Sequence, residues 1–227
     1  MLLGARQFFE RRGAPTPPLP YDAEVEYLES TGTQWIDTGL ICDIKRIVVV
    51  DIYHDYDGLN EHQFIVGGRV ITGAGYYYRA STRSVYGQQY LEVSILLNSS
   101  SGATIPNGRS KIIINDDCLV DVNGTKYGNI VRESRNTTDT FHLLQYPDLY
   151  AFKGFVGRLY GCSISTIEGD VLIDLIPVRF TNEQSVSEGA MYDRLGVGGM
   201  NPDGSPRTDG LYRNRGTGAL LYGPDKS

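Results

Sequence analysis

Runs of β-branched and aromatic residues recur along the chain from Tyr21 onward, and short polar turns separate them. Clear cases are "KRIVVVDIYH" (45–54), "GYYYRAS" (75–81), "QYLEVSILLN" (89–98) and "VLIDLIPVRF" (171–180). No segment after Tyr21 keeps the 3.6-residue period of an amphipathic helix over three turns. Strands spaced about 8–12 residues apart without helices between them are typical of an all-β fold. The pattern predicts two antiparallel sheets packed as a β-sandwich or jelly roll.

Two segments support more specific structural predictions. The run "KIIINDDCLVDVNGTKYG" (111–128) indicates two strands joined by an Asp-Asp turn, then a third strand after an Asn-Gly turn. Asn-Gly is a strong signal for a tight hairpin. In "FVGRLYGCSIST" (155–166), simple alternation along a strand places Tyr160, Cys162 and Ile164 on one face.

Composition and charge restrict the classes of function. The chain has 227 residues and a net charge of −6, which disfavours binding to nucleic acid or to an anionic membrane surface. The start "MLLGARQFFERRG" does not resemble a secretion signal, and no apolar run approaches the length of a membrane span. Three widely spaced cysteines predict buried free thiols rather than a zinc site. We therefore expect synthesis in a cytoplasm.

The first 20 residues differ from the rest and are expected to form an arm. Apolar and basic side chains that could form about two helical turns precede "APTPPLP", a stiff linker. A segment this short cannot bury itself well, so we expect a partner chain, a groove of its own domain or self-packing to hold it. The predicted domain boundaries are 1–20 for the arm and 21–227 for the sandwich. The candidate docking residues are Leu2, Leu3, Arg6, Phe8 and Phe9.

Acid–base catalysis is a minority interpretation of the segment "EVEYLE". Glu24, Glu26 and Glu29 form an E-x-E-x-x-E pattern, similar to the E-x-D-x-x-E of β-sandwich glucanases. A retaining glycosidase needs two carboxylates about 5–5.5 Å apart. On a regular strand Glu24 and Glu29 lie on opposite faces, and charged residues on an edge strand also discourage aggregation. We therefore expect no catalytic residues, with Glu24 and Glu29 as the candidates if the chain is a hydrolase.

No other catalytic or cofactor motif is convincing. The chain has three histidines and no G-x-S-x-G nucleophile motif. The calcium candidates are Asp55, Asp57 and Asn60 of "DYDGLNE" (55–61), which supply oxygen atoms. Turn formation explains these residues without a metal. The sequence therefore predicts no cofactor.

Glycan binding is the favoured functional interpretation of the tyrosine-rich run "GYYYRASTRSVYGQQY" (75–90). Sugar sites combine aromatic faces with planar polar groups, and this run has both. The alternative is that these tyrosines fill core edges and cross-strand pairs. The candidate ligand-binding residues are Tyr76, Tyr78, Arg79, Tyr86 and Tyr90.

Several segments resemble one family in the same order along the chain. "VEYLESTGTQWIDTGL" (25–40) resembles the first-strand signature of laminin-G-like, concanavalin A-like jelly-roll domains found in proteins of gut bacteria, their prophages and phages. "LYAFKGFVGRLYGCSI" (149–164), "GAMYDRL" (189–195) and "LYRNRGTGALLYGPD" (211–225) are similar to later parts of that family. The resemblance spans about residues 24–225 and departs from the family pattern in the loop 195–210.

The resemblance implies a single concanavalin A-like sandwich in a non-enzymatic virion protein of accessory or fibre type. The sandwich would face outward from the virion surface and bind glycans or other host-surface ligands, and the arm would dock to a capsid or tail protein. Many copies, as in a homo-oligomer, would make weak sugar binding sufficient. The alternatives are a glycoside hydrolase and a purely structural decoration module.

The stretch "STGTQWIDTGL" (30–40) contains the only Trp of the chain. We interpret Ser30–Thr33 as a turn between two early strands and Trp35 as a cap on the sandwich core. Asp37 and Thr38 are expected to hydrogen-bond the backbone of a neighbouring loop.

Overall fold

The computed structural model describes most of the chain from residue 18 onward. The described residues are 18–43, 45–55, 63–71, 76–85, 88–95, 103–114, 119–129, 139–145, 153–196, 205 and 208–227. The backbone alone is described for 69–71, 76–85, 88–95, 103–104, 119 and 128–129.

The described residues form strands, turns and irregular segments. The strands, in chain order, are β1 (Ala23–Glu24), β2 (Leu28–Thr31), β3 (Ile36–Ile41), β4 (Arg46–His54), β5 (Gln63–Ile71), β6 (Tyr76–Val85), β7 (Gln88–Ile95), β8 (Ala103–Thr104), β9 (Gly108–Ile114), β10 (Leu119–Val122), β11 (Thr125–Asn129), β12 (Thr140–Leu143), β13 (Lys153–Gly154), β14 (Val156–Thr166), β15 (Val171–Thr181), β16 (Ser187–Asp193), β17 (Leu211–Arg213) and β18 (Leu221–Tyr222). In this part of the chain, no helix has the length and apolar character needed to cross a membrane.

The strands form two sheets. The larger sheet has 11 strands, eight of them in the order β11-β10-β9-β4-β14-β15-β16-β17. Of the other three, β1 pairs with β15, β2 pairs with β14, and β18 pairs with β2. The smaller sheet has 7 strands in the order β3-β12-β5-β6-β7-β8, and β13 joins it through β5. The pairings are antiparallel except for β13 with β5. The all-β prediction is therefore confirmed, and the arrangement is consistent with a β-sandwich.

One buried apolar cluster contains residues of both sheets. Val50 and Ile52 of β4 and Ile112 of β9 belong to the larger sheet, and each is at most 1% exposed. They share this cluster with Val66 of β5 and Phe141 of β12, which belong to the smaller sheet. Burial of apolar area is the main favourable term in folding, so the contact between the two sheets supplies most of the stability of the domain.

Two strand predictions and the Asn-Gly turn prediction agree with the structure, and the predicted Asp-Asp turn at Asp116 and Asp117 lies outside the described residues. The run 45–54 contains β4, and 171–180 lies within β15. At the Asn-Gly turn, Asn123 and Gly124 have φ of 53° and 85°, the left-handed pair that a tight two-residue hairpin requires. Asn123 also accepts a hydrogen bond from the Lys111 backbone at 2.8 Å. This contact ties the hairpin to the neighbouring β9.

Strand β14 contains an irregularity that overturns one prediction from alternation. Cys162 and Ile164 are buried as expected, but Tyr160 is only half-buried and Leu159 takes the core position. The pairing of β14 with β4 shifts register between Leu159 and Gly161. A β-bulge adds one residue to one strand and so changes which side chains point to each face. Tyr160 therefore lies on the opposite face from Cys162 and Ile164.

The predicted turn between two early strands connects β2 to β3, but it spans residues 32–35, because Ser30 and Thr31 belong to β2. Ile36 is its buried apolar residue, whereas Trp35 is half-buried with its ring 5.2 Å from that of His142. Thr38 donates to the carbonyl of Phe141 at 2.8 Å, as predicted for a bond to neighbouring backbone. Asp37 instead accepts from the Thr140 hydroxyl at 2.7 Å and from the backbone of Gly39.

A second, smaller apolar cluster is formed mainly by β15, β16 and β17. Val178, Phe180 and Leu211 belong to it, and each is at most 5% exposed. Tyr21 and Tyr192 pack against this cluster, with their ring centroids 4.8 Å apart. The first residues of the predicted sandwich therefore cover this part of the larger sheet.

Candidate ligand-binding site

The outer face of the larger sheet carries alternate residues of the strands whose other residues form the core. On β4, Val50 and Ile52 are buried in the core, whereas Asp51 and Tyr53 are half-buried. On β9, Ile112 is buried and Arg109 is exposed. Because successive side chains of a strand point to opposite faces, Asp51, Tyr53 and Arg109 lie on the face turned away from the smaller sheet.

Strands β2 and β14, together with the residue before β2, add four more side chains to this face. Leu28 of β2 is buried, so Tyr27 and Glu29 on either side of it point outward. The bulge in β14 keeps Leu159 in the core and leaves Arg158 and Tyr160 outside. Glu29 pairs directly with Arg158 in the register of β2 and β14. Side chains from four strands thus meet on one surface.

Three tyrosine rings and two guanidinium groups interlock there, and we call this set the Tyr–Arg surface (Tyr27, Tyr53, Arg109, Arg158 and Tyr160). The Arg158 guanidinium lies 4.4 Å from the Tyr27 ring centroid and 5.3 Å from that of Tyr53. The Arg109 guanidinium lies 3.9 Å from the Tyr160 centroid. The Tyr27 and Tyr160 rings are 5.6 Å apart and tilted by 57°. These distances are those of cation–π and edge-to-face contacts.

Carboxylates hold the two arginines in place. Arg109 binds Asp51 in a bidentate manner, with Nε 2.9 Å from Oδ1 and Nη2 2.8 Å from Oδ2. The Nε of Arg158 donates to Glu29 at 3.1 Å. The Tyr53 hydroxyl donates to Asp55 at 2.9 Å. Planar ion pairs of this kind orient the guanidinium groups over the rings more strictly than a lysine would.

The same contacts shift the protonation equilibria of the surface. The hydrogen bond to Asp55 raises the pKa of the Tyr53 phenol. The hydrogen bond to Asp51 raises the pKa of Arg109, and that to Glu29 raises the pKa of Arg158. All three groups therefore keep their protons over the physiological pH range and remain hydrogen-bond donors.

Glycine at position 223 gives Tyr27 its position. Gly223 donates its backbone N–H to the Tyr27 carbonyl at 2.9 Å. A Cβ at this glycine would lie 2.7 Å from Cε1 of the Tyr27 ring. The C-terminal segment therefore packs directly against this ring, and any larger residue at 223 would displace it.

Two shallow depressions adjoin the Tyr–Arg surface. The first has a volume of about 270 Å³ and is lined by Glu29, Tyr53, Asp55 and Arg158 together with other residues of β2 and β14. The second has a volume of about 170 Å³, and its lining includes Asp51, Tyr160, Asp174 and Arg194. The larger cavity near Pro20, about 540 Å³, is lined by Phe180, Leu211 and polar residues and does not include any residue of the Tyr–Arg surface.

The chemistry of the Tyr–Arg surface suits a ligand with many hydroxyl groups. Aromatic rings bind the C–H faces of flat, partly apolar molecules, and guanidinium and carboxylate groups donate to and accept from hydroxyls. The arginine side chains are 38–57% exposed and their carboxylate partners 28–40% exposed, so a ligand can reach their remaining hydrogen-bonding positions.

The ligand residues predicted from the sequence lie elsewhere. Tyr76, Tyr78 and Arg79 belong to β6 and Tyr90 to β7, both in the smaller sheet, where Arg83 pairs with Tyr90. The backbone of these residues is described, and Tyr86 lies outside the described residues. A site on this run stays a prediction, and it is on a different sheet from the Tyr–Arg surface.

The two glutamates of the hydrolase interpretation occupy different strands, and each has its own cation. Glu24 of β1 contacts Lys226 at 3.7 Å, and Glu29 of β2 contacts Arg158 at 3.1 Å. β1 pairs with β15, whereas β2 pairs with β14 and β18. Catalysis by this pair stays a prediction that these contacts do not support.

Of the calcium candidates, Asp55 accepts the hydrogen bond from Tyr53, and Asp57 and Asn60 lie outside the described residues. Among the residues that the structure describes, no group of three His, Cys, Asp or Glu side chains is arranged to hold a metal ion.

Two other predicted features lie outside the described part of the chain. They are the arm residues Leu2, Leu3, Arg6, Phe8 and Phe9, and most of the loop 195–210.

The sequence contained a partial signal for the Tyr–Arg surface that the predictions did not use. Asp51 and Tyr53 alternate with the apolar residues of β4, which marks them as outward-facing. Tyr27 and Glu29 alternate around Leu28 in the same way. Alternation alone would still have placed Tyr160 in the core, because a bulge is not visible in the sequence.

No protein-family model matches the chain, and no curated protein matches it.

Proposed function

We propose that this chain is a non-enzymatic glycan-binding protein of a phage or prophage virion. Its sandwich faces outward from the virion surface and binds sugars of the host surface through the Tyr–Arg surface. Its N-terminal arm, residues 1–20, attaches it to a capsid or tail protein. Synthesis takes place in the host cytoplasm, and many copies on one particle raise the overall affinity.

The observation that supports sugar binding is the interlocked arrangement of three tyrosines and two arginines on an outer sheet face. Arg158 lies against two rings and is held by Glu29, so the surface is ordered before any ligand arrives. Preorganised side chains lose less conformational entropy on binding. The virion role is supported by the family resemblance of residues 24–225 and by the apolar, basic arm ahead of a Pro-rich linker.

An array of bacterial surface glycans, probed with the full-length chain, tests the binding function. We expect binding to a subset of the array and about tenfold weaker binding for Tyr160→Ala, which corresponds to about 1.4 kcal/mol. Tyr222→Ala is the matched control, because Tyr222 is a partly exposed tyrosine outside the Tyr–Arg surface. A chain that binds no glycan overturns the function, and a Tyr160→Ala variant with full binding overturns the site.

Two further measurements test the other parts of the proposal. Incubation of the bound glycan with the chain should release no new reducing ends, and their release would overturn the non-enzymatic assignment. Deletion of residues 1–20 should abolish incorporation into particles while the melting temperature of the sandwich stays unchanged, because Tyr21 and its contact with Tyr192 are retained. Incorporation of the truncated chain would overturn the role of the arm.

A further inference from the structure

The two depressions on the outer face lie on either side of Tyr160 along β14. Arg158 lines the first depression, and Ser163 lies in the lining of the second. Because of the bulge, these two positions lie opposite Tyr53 and Val49, which are four residues apart on β4. A strand advances about 3.3 Å per residue, so the two positions are about 13 Å apart. Tyr160 lies between them and forms an edge of the second depression. This length exceeds one sugar ring, so a ligand that touches both depressions contains several linked sugars.

Similar hydrogen-bonding units recur along this line. Arg158 binds Glu29 in the first depression, and Arg109 binds Asp51 beside Tyr160. In the second depression, Arg194 donates to Asp174 from Nε at 3.0 Å and from Nη2 at 2.6 Å. The three arginine–carboxylate pairs thus flank β14 on both sides, with Asp51 and Arg109 on one side and Glu29, Asp174 and Arg194 on the other. A polymer with repeating hydroxyl groups can meet an equivalent pair at each of these points.

The charges of this face indicate which sugars it selects. Its three arginines are Arg109, Arg158 and Arg194, and its four carboxylates are Glu29, Asp51, Asp55 and Asp174, a balance of −1. The whole chain carries a net charge of −6. Lys111 of β9 also faces outward, opposite Asp51, and the Glu26 carboxylate acts on Arg109, so these two groups leave the balance at −1. Each of the three guanidinium groups is already paired with a carboxylate, so an anionic sugar gains little from them and the net negative charge repels it.

We propose that the outer face of the larger sheet binds a neutral, linear oligosaccharide of at least three sugars that lies across Tyr160 and contacts both depressions. This inference rests on the proposed function and makes its ligand more specific. It distinguishes an internal stretch of a polymer from a single terminal sugar. Each depression supplies part of the affinity, so affinity depends on the length of the ligand.

The test uses the full-length chain and oligosaccharides of one to six units, measured by isothermal titration calorimetry. The probes are β-1,4-linked glucose, β-1,4-linked N-acetylglucosamine, α-1,4-linked glucose and, as the anionic series, α-1,4-linked galacturonic acid. We expect one neutral series to bind with affinity that rises until at least three units, and the anionic series to bind at least tenfold more weakly. Equal affinity for a monosaccharide and a hexasaccharide, or preference for the anionic series, overturns the inference and leaves the proposed function standing. Absence of binding to every probe and to the glycan array overturns both.

Two variants measure the contribution of each depression to oligosaccharide binding separately. Arg158→Ala and Arg194→Ala should each weaken hexasaccharide binding about tenfold and disaccharide binding less than threefold, because a disaccharide can occupy the depression that remains intact. Arg179→Ala is the matched control, since Arg179 makes a similar ion pair with Asp225 at 2.9 Å outside both depressions. Equal losses for the disaccharide and hexasaccharide would overturn the two-depression arrangement. Thermal unfolding of each variant shows whether a loss of binding reflects a loss of folding.

Discussion

The side-chain amide of Gln34 donates to the backbone carbonyl of Ala219, 185 residues later in the chain, at 3.1 Å. It also donates to the carbonyl of Thr217 at 3.3 Å. Its oxygen accepts from the backbone N–H of Thr31 at 2.9 Å and from the Ser30 hydroxyl at 3.1 Å. Gln34 is 2% exposed, so one buried side chain joins the turn after β2 to the C-terminal segment. These hydrogen bonds therefore connect an early turn of the sandwich to one of its last segments.

Replacement of Gln34 by leucine should destabilise the fold. Leucine has a similar size but cannot bond the Thr217 and Ala219 carbonyls or the N–H of Thr31, and the buried Ser30 hydroxyl loses its acceptor. We expect the free energy of unfolding to fall by about 1–3 kcal/mol, because a hydrogen bond contributes about 0.5–1.5 kcal/mol and one buried hydroxyl is left unsatisfied. Urea denaturation followed by tryptophan fluorescence measures this change. Gln184→Leu, at an exposed turn position, is the control, and an equal effect in both variants would contradict the role of Gln34.

Substitution of Gly216 by alanine should also weaken the contact between the two ends of the domain. A Cβ at this position would overlap the carbonyl oxygen of Thr33 and lie 2.8 Å from the Cα of Gln34. These are backbone atoms, so no side-chain rotation relieves the overlap. We expect a loss of about 3 kcal/mol in urea denaturation, at the upper end of the cost of overpacking.

Gly169→Ala is the comparison for Gly216→Ala. Gly169 has a φ of +96°, and a Cβ there would meet no atom within 4 Å. Its substitution should cost about 1–2 kcal/mol through backbone strain alone. A smaller loss for Gly216→Ala than for Gly169→Ala would show that the segments around Thr33 and Gly216 can move apart at little cost.

Cys42 and Cys162 should be unreactive in the folded protein. Both thiols are free and buried. Burial raises the pKa of Cys162 to about 12 and that of Cys42 well above its usual value. At pH 8 only about one Cys162 thiol in ten thousand is then ionised, and the thiolate is the reactive form.

The thiol prediction is measured in a Cys118→Ser variant with a chromogenic disulfide reagent at pH 8. We expect the folded variant to react only at its rate of unfolding and both thiols to react at once in guanidinium chloride. Rapid modification of either thiol in buffer would contradict the burial of that cysteine.

Asp193 should make stability depend on pH. It is fully buried; its Oδ1 accepts from the backbone N–H groups of Asp174 and Leu195 at 3.1 Å each. Desolvation by burial raises its pKa, and the Asp174 carboxylate adds to this effect. A raised pKa in the folded state means that the folded chain binds this proton more tightly than the unfolded chain. The stability contributed by Asp193 is therefore full below the ordinary pKa of aspartate and is lost as pH rises through the raised value.

Asp193→Asn removes this titration, because asparagine keeps an acceptor oxygen and carries no charge. We expect the free energy of unfolding of the variant, relative to that of the wild type, to increase from pH 4 to pH 7. Urea titrations at several pH values provide the measurement. Asp170→Asn, at an exposed turn, should show no such trend, and a constant difference for Asp193→Asn would contradict the raised pKa.

Much of the fold could be predicted because its signals are local. The strand β4 is visible as alternating and β-branched residues within ten positions, and the hairpin at Asn123 and Gly124 needs two residues with positive φ. The bond from Thr38 to neighbouring backbone was likewise predictable from residue type. The position of the Trp35 ring was less predictable, because this ring lies against His142 of a strand more than a hundred residues later.

The candidate site could not be predicted in the same way. Tyr27, Tyr53, Arg109, Arg158 and Tyr160 are far apart in the chain, and the order β9-β4-β14-β2 brings them together. The tyrosine run that the sequence favoured lies in the other sheet. That run is conspicuous in the sequence because it contains three consecutive tyrosines. The Tyr–Arg surface instead takes one or two residues from each of several strands.

The sequence by itself determined that this chain folds into strands, where most of them lie and which turns join them, because these properties depend on residues within a few positions of each other. Only the tertiary structure decided which strands are neighbours and which side chains share a face. The bulge at Tyr160 shows the physical reason: one extra residue in β14, stabilised by pairing with a distant strand, moves Tyr160 out of the core and onto the surface beside Arg109.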